Sequence, residues 1–268
     1  MKKVIALVVA LAAALAVSGS APAQTGNAQL DGNSHPNVGA LLAKRKDGSL
    51  AIVCSGTLVT TRVFLTAGHC TDYLMSSLGQ FDAYVTFDPN FGTDSGHNIF
   101  STPYHGVLYE NPAWKPPYHH DTALVLLDSP VSGITPATLA PRYLLDQLKA
   151  AHALGDLLYT NVGYGTSEKV VVQGSGPTFP FDGLRKWTVS AYHALDQSFI
   201  HLNQNLNQGW SGTGYGDSGG PTFIDLGNGP IQISVVSTGD VPLYSTSVNT
   251  RIDTDDARDF LDPFLALR

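Results

Sequence analysis

The chain has 268 residues, 43% of them hydrophobic and 14% charged; this is enough apolar material to bury one large core or two small ones, and it excludes a disordered or collagen-like chain. Basic residues number 15 against 22 acidic ones, a formal charge of −7 with no basic block, so no nucleic-acid partner is expected. Cys54 and Cys70 are the only cysteines, too few for a disulfide-dense scaffold, a four-thiolate zinc site or a cysteine-held iron–sulfur cluster.

From the amino terminus, Met1-Lys2-Lys3, the apolar run from Val4 to Val17 and the small-residue sequence Ala21-Pro22-Ala23 read as a secretory signal over residues 1–23, with cleavage after Ala23. The run is shorter than the ~20 residues that cross a bilayer, and no later stretch comes close, so a secreted protein with no membrane partner is expected. Residues 24–35 are small and polar and read as a leader into the fold.

Short strand-like runs bounded by Gly, Pro, Asn and Asp follow at 49–53, 56–65, 83–87, 106–109 and 122–127. A second series occupies 157–162, 169–173, 185–191, 198–202, 221–224 and 231–237. Between the two, Leu144, Leu145, Leu148, Ala151 and Leu154 recur at helical intervals behind Pro141, which predicts one amphipathic helix over 138–154. Ala257, Phe260, Leu261 and Phe264 can share a face of a last helix over 254–267. The spacing points to an all-β sandwich or barrel pair dividing near residue 133, with segments 36–133 and 134–268 as its two parts.

The strongest local signal is Gly216-Asp217-Ser218-Gly219-Gly220-Pro221, where glycines after a serine permit a tight turn with inward amide hydrogens. A serine hydroxyl is a weak nucleophile that needs a histidine to take its proton and a carboxylate to orient that histidine. All nine histidines precede Ser218, which excludes the α/β-hydrolase order, in which the base follows the serine. The subtilisin order, aspartate first, demands alternating strands and helices that this sequence does not show. The order His, Asp, Ser remains.

Thr66-Ala67-Gly68-His69-Cys70, His120-Asp121-Thr122-Ala123-Leu124 and the 216–221 run, in that order, resemble the three signature segments of chymotrypsin-like serine proteases. The resemblance covers roughly residues 36–265. It implies two antiparallel six-stranded β-barrels with one inserted helix, a C-terminal helix and an active site in the cleft between the barrels. It also implies a disulfide from Cys54 to Cys70, His69 as general base, Asp121 as its orienting carboxylate, Ser218 as nucleophile, and the amides of Gly216 and Ser218 as the oxyanion hole. The partner is then a protein or peptide substrate and the protein a monomer. A catalytically silent binding protein on the same scaffold is the alternative.

By the same resemblance the specificity pocket falls on Gly212 at its floor, Gly239 on one wall and Ser247 opposite. A floor without a carboxylate disfavours Lys or Arg before the scissile bond, because a buried cation would lack its counter-charge. An apolar or medium-sized side chain is expected there, while Asp240 near the rim keeps a basic substrate open. Asp217 corresponds to the aspartate that in many relatives pairs with a newly cut amino terminus; here a histidine, an arginine or a differently cut terminus would have to serve. No cofactor is expected, since there is neither a phosphate-cradling loop nor a dinucleotide fingerprint. No metal is expected either. His119, His120 and Asp121 alternate across a strand-like segment and cannot converge, and Asp82, Asp88, Asn90 and Asp94 lack a calcium-loop spacing. Trp114, shortly before Asp121, either shapes the cleft or packs in a rigid loop.

Overall fold

The computed structural model describes residues 26–91, 103–167, 176, 178–240 and 244–267. The signal segment, the strand expected at 169–173 and Asp94 lie outside these residues. Six strands, β2 (Val38–Lys44), β3 (Leu50–Leu58), β4 (Val63–Thr66), β5 (Asp82–Thr86), β6 (Tyr104–Glu110) and β7 (Ala123–Leu127), close into an antiparallel barrel in the order β2-β3-β4-β7-β6-β5. A second barrel closes β9 (Leu158–Gly163), β10 (Lys186–Leu195), β11 (Phe199–Asn203), β14 (Thr246–Arg251), β13 (Pro230–Gly239) and β12 (Pro221–Asp225) in that order, with β12 returning to β9. Two short strands lean on it: β1 (Gln29–Leu30) antiparallel to β10, and β8 (Thr138–Leu139) parallel to β13. This is the expected pair of six-stranded barrels.

The helices are shorter than their sequence signals. Helix α1 (Gly68–Asp72) follows β4 directly, and α3 (Asp255–Leu265) starts at Thr254, whose hydroxyl caps it by accepting from the Ala257 amide. The helix expected over 138–154 is only α2 (Leu144–Ala150), because Thr138 and Leu139 are taken by β13 and Pro141 then starts the turn. The run expected as one strand over 56–65 is broken by a turn in which the Val59 amide donates to the Val63 carbonyl. Sequence periodicity missed β2 and β14. Strand β2 reads Val-Gly-Ala-Leu-Leu-Ala-Lys and is buried up to Ala43, so it has no polar face to alternate. Strand β14 reads Thr-Ser-Val-Asn-Thr-Arg, and its polar side chains turn inward into hydrogen bonds.

The two barrels differ in what they bury. The first packs Leu41, Leu58, Phe64, Leu74, Val85, Val125 and Leu127 into an apolar core. The second has an apolar cluster around Leu145, Tyr159, Ile200, Leu202 and Ile233, but also buries Asn161, Ser190 and Thr222 in one hydrogen-bonded group.

The polar stretch after residue 26 is built into the fold. Gln29 and Leu30 pair with Trp187 and Lys186, and Asp31 is fully buried. The Arg185 guanidinium, also fully buried, donates to Asp31 Oδ2 at 2.8 Å, to Asn33 Oδ1 at 2.8 Å, and to the carbonyls of Val38 and Phe87 in the first half at 2.7 and 2.9 Å. His35 closes the group, its Nδ1 2.6 Å from Asp31 Oδ1 and its ring stacked on Phe223. Burial alone would raise the Asp31 pKa, but the contacts to His35 and Arg185 outweigh it and hold the carboxyl at about 2.

Candidate active site

His69 lies in the first turn after β4, and Asp121 immediately precedes Thr122 and β7, its paired neighbour. The fully buried Asp121 carboxylate holds the histidine at two points: Oδ1 accepts the His69 amide and Oδ2 accepts Nδ1–H, both at 2.8 Å. A carboxylate only accepts, so the ring proton sits on Nδ1 and the Nε2 lone pair is left free to take a proton. The Tyr118 ring meets the imidazole edge-on, centroids 5.5 Å apart. Trp114 packs against Gly68 behind the histidine, and the cleft-lining aromatic of this loop is Tyr118.

Cys54 and Cys70 form a disulfide that ties β3 to α1 beside His69. Among the described residues the one cluster dense enough in ligand atoms for a metal ion is Cys54, His69 and Cys70, and its two sulfurs are spent on each other. His120 turns away from Asp121 to pair with Asp256 at 2.7 Å, so the neighbours His119, His120 and Asp121 do not gather on one point.

Ser218 arrives from the second barrel, on the turn before β12, yet that turn is fastened to the first. The Ser55 amide of β3 donates to the Ser218 carbonyl at 2.8 Å, and the Ser55 hydroxyl donates to the Gly216 carbonyl at 2.9 Å. A Cβ at Gly219, where φ is +77°, would lie 2.1 Å from Thr66 Oγ1 and 2.6 Å from the Ser55 carbonyl, so only glycine lets the two pieces approach. The amides of Gly216 and Ser218 have no acceptor among the described residues. Asp217 is fully buried beneath them, and its carboxylate accepts the amides of Gly165 at 2.8 Å and Gly214 at 2.7 Å. Lys186, nearly fully buried and ion-paired with Asp182, also feels the Asp217 charge; its burial lowers its pKa.

His69, Tyr118 and Ser218 border one cleft of about 420 Å³, with Thr213, Ser237 and Gly239 among its walls. No hydrogen bond joins Ser218 to His69 among the described contacts; such contacts tighten when substrate fills a site. Of the three residues expected to shape the specificity pocket, Gly239 borders the cleft, while Gly212 and Ser247 are buried beside Thr213, which borders it. Asp240 is occupied by its own turn, accepting the amides of Ser245 at 2.9 Å and Thr246 at 2.6 Å. Sequence reasoning missed Ser55 and Tyr118. No local pattern marks them, since their partners lie far along the chain.

A family model described as Trypsin matches residues 24–255. No curated protein sequence matches the chain significantly. Among solved structures, that of HL collagenase superposes with a TM-score of 0.64 at 17% identity, covering 91% of this chain and 98% of the other, a likeness of fold.

Proposed function

From the premise that the chain belongs to the trypsin family and is a serine-type endopeptidase, we propose that it is exported and cleaves peptide bonds with Ser218, His69 and Asp121 through an acyl-enzyme. The observation that carries this is the two-point hold of Asp121 on His69 at a cleft that Ser218 shares. Ser218 Oγ attacks the substrate carbonyl carbon while His69 Nε2 takes its proton, and Asp121 stabilises the resulting imidazolium without being protonated. The oxyanion that forms is met by the amides of Gly216 and Ser218; one such donor is worth about 3 kcal/mol in the transition state. The imidazolium then gives its proton to the leaving amine as the carbon–nitrogen bond breaks. Water, deprotonated by the same histidine, releases the acyl group from Ser218.

Export accounts for the disulfide, which forms in oxidising compartments. The family match begins at residue 24, the residue that cleavage after Ala23 would leave first. That cut would create an α-amino group two residues before Gly26, which packs against Leu206 and Ser211, the latter adjacent to Gly212. The test is to treat the secreted protein with a biotinylated fluorophosphonate, map the labelled residue by mass spectrometry and read the amino terminus from the same digest. Label on Ser218 and a terminus at Gln24 are expected. A secreted, folded protein whose Ser218 stays unlabelled overturns the assignment.

A further inference from the structure

The two amides proposed to meet the oxyanion are carried by the second barrel but not held by it alone. The Gly216 amide shares its peptide with the Tyr215 carbonyl, which accepts the Thr166 amide at 2.6 Å. The Ser218 amide shares its peptide with the Asp217 carbonyl, which accepts the Gly220 amide at 2.8 Å. Between them lies the peptide from Gly216 to Asp217, the covalent link that spaces the two donors, and it is gripped at both ends. The Asp217 amide donates to the Gly214 carbonyl at 3.1 Å, and the Gly216 carbonyl accepts the Ser55 hydroxyl at 2.9 Å. Of these four contacts, only the last comes from the first barrel.

Ser55 is fully buried, and its single hydroxyl proton has one direction to go. The Oγ accepts the Tyr164 amide at 3.0 Å, which leaves the proton for the Gly216 carbonyl. The next amide, that of Gly165, donates to the Asp217 carboxylate at 2.8 Å. Consecutive amides after β9 thus orient the serine that grips the turn and the carboxylate beneath it. Gly216, with φ at +98°, has no Cβ to restrain the peptide that follows it. Without the Ser55 hydroxyl, that peptide keeps only its hold on Gly214, and the Gly216 carbonyl and Tyr164 amide lose their common partner.

We propose that Ser55 is a positioning residue for the reaction: its hydroxyl holds the 216–217 peptide so that the Gly216 and Ser218 amides converge on one point, tying the oxyanion site to the barrel that carries His69. The proposal rests on the reading of Ser218 as nucleophile. The Ser55 amide grips the Ser218 carbonyl through the backbone, and replacing the side chain leaves that contact in place. Ser55→Ala therefore loosens the oxyanion donors while the nucleophile's turn stays attached to β3. Because those donors act on charge that develops only in the transition state, the loss falls on kcat and spares KM.

The test uses the secreted enzyme, with active sites counted by the end point of fluorophosphonate labelling on Ser218. Its probes are the fluorogenic peptide that wild type cleaves fastest from a mixture and a trifluoromethyl ketone of the same sequence, which adds to the serine as an oxyanion-bearing hemiketal. In Ser55→Ala, kcat per labelled site should fall by about 10–100-fold with KM within about 2-fold of wild type, a smaller loss than that of a donor removed outright. Affinity for the ketone should fall by the same factor as kcat. Tyr159→Phe removes an equally buried hydroxyl whose partner, the Leu154 carbonyl, is not part of the cleft, and should leave kcat, KM and ketone affinity unchanged. Where Ser55→Ala is not secreted, Ser55→Gly carries the same expectation. A labelled Ser55 variant that keeps wild-type kcat and ketone affinity, or whose kcat/KM falls only through KM, overturns the positioning role. A wild-type enzyme that takes no label on Ser218 overturns instead the active-site reading beneath it.

Discussion

The two barrels share a topology but not an interior. Of the seven buried side-chain polar atoms without a partner among the described residues, only Thr57 Oγ1 belongs to the first barrel; Thr166, Thr188, Gln204, Gln232, Ser234 and Asn249 belong to the second half of the chain. The first barrel, which carries His69 and Asp121, packs an apolar cluster and has its β3 tied to α1 by a disulfide. The second, which carries Ser218, buries the other six among its strands and loops. A close-packed apolar core has few alternative arrangements and suits the part that must keep a base and its carboxylate in one geometry.

The division of the machinery between barrels is tested most severely by Ser218→Ala and Asp121→Asn. The first should lower kcat/KM by about 10^6-fold and the second by about 10^4-fold, with thermal melting unchanged for Ser218→Ala. Peptide hydrolysis and calorimetry on the same samples check both.

Arg185 joins the halves, so Arg185→Met should destabilise by about 3–5 kcal/mol, because Asp31 is left buried and uncompensated. Adding Asp31→Asn should recover part of that loss in urea unfolding; a strictly additive double variant would mean that the two buried charges do not interact. Replacing Cys54 and Cys70 together by Ala should cost about 3 kcal/mol, a loop-closure effect confined to the first barrel.

Acid should weaken the junction. The folded Asp31 pKa of about 2 lies below the ordinary carboxylate value of 3.8, so the ionised carboxylate stabilises the fold fully above about pH 4, and this contribution is lost as pH falls through 2. About 2 kcal/mol is at stake, read as the difference in urea midpoint between wild type and Asp31→Asn at pH 5 and at pH 2. The smallest effect is expected on the first barrel's surface. There Asp128 and then Asp82, hydrogen-bonded to His105, raise its pKa, so its contribution is full below pH 6.5 and fades as pH rises through the raised value. His105→Gln should change stability by less than about 1 kcal/mol, because the pairs are exposed.

The segments around His69, Asp121 and Ser218 were legible because each packs its chemistry into a few consecutive residues. The barrels were legible as a series of strands, but β2 hid because burial on both sides erased its alternation, and β14 hid because its polar residues face inward. Gln204 could not be read at all. Its side chain fills the space a Cβ at Gly212, eight positions along the chain, would need, and nothing in a glutamine after an asparagine announces that. The glycine was visible; its reason was not.

The contact of Gly219 with Thr66 and Ser55 has a consequence for inheritance. Three positions in different halves of the chain share one small volume, so none can drift alone. In a saturation library under selection for secreted activity, position 219 should accept no side chain, while position 66 should tolerate residues no larger than threonine. A smaller residue at 66 would not by itself admit a side chain at 219, because the Ser55 carbonyl and the Ala67 amide crowd the same space.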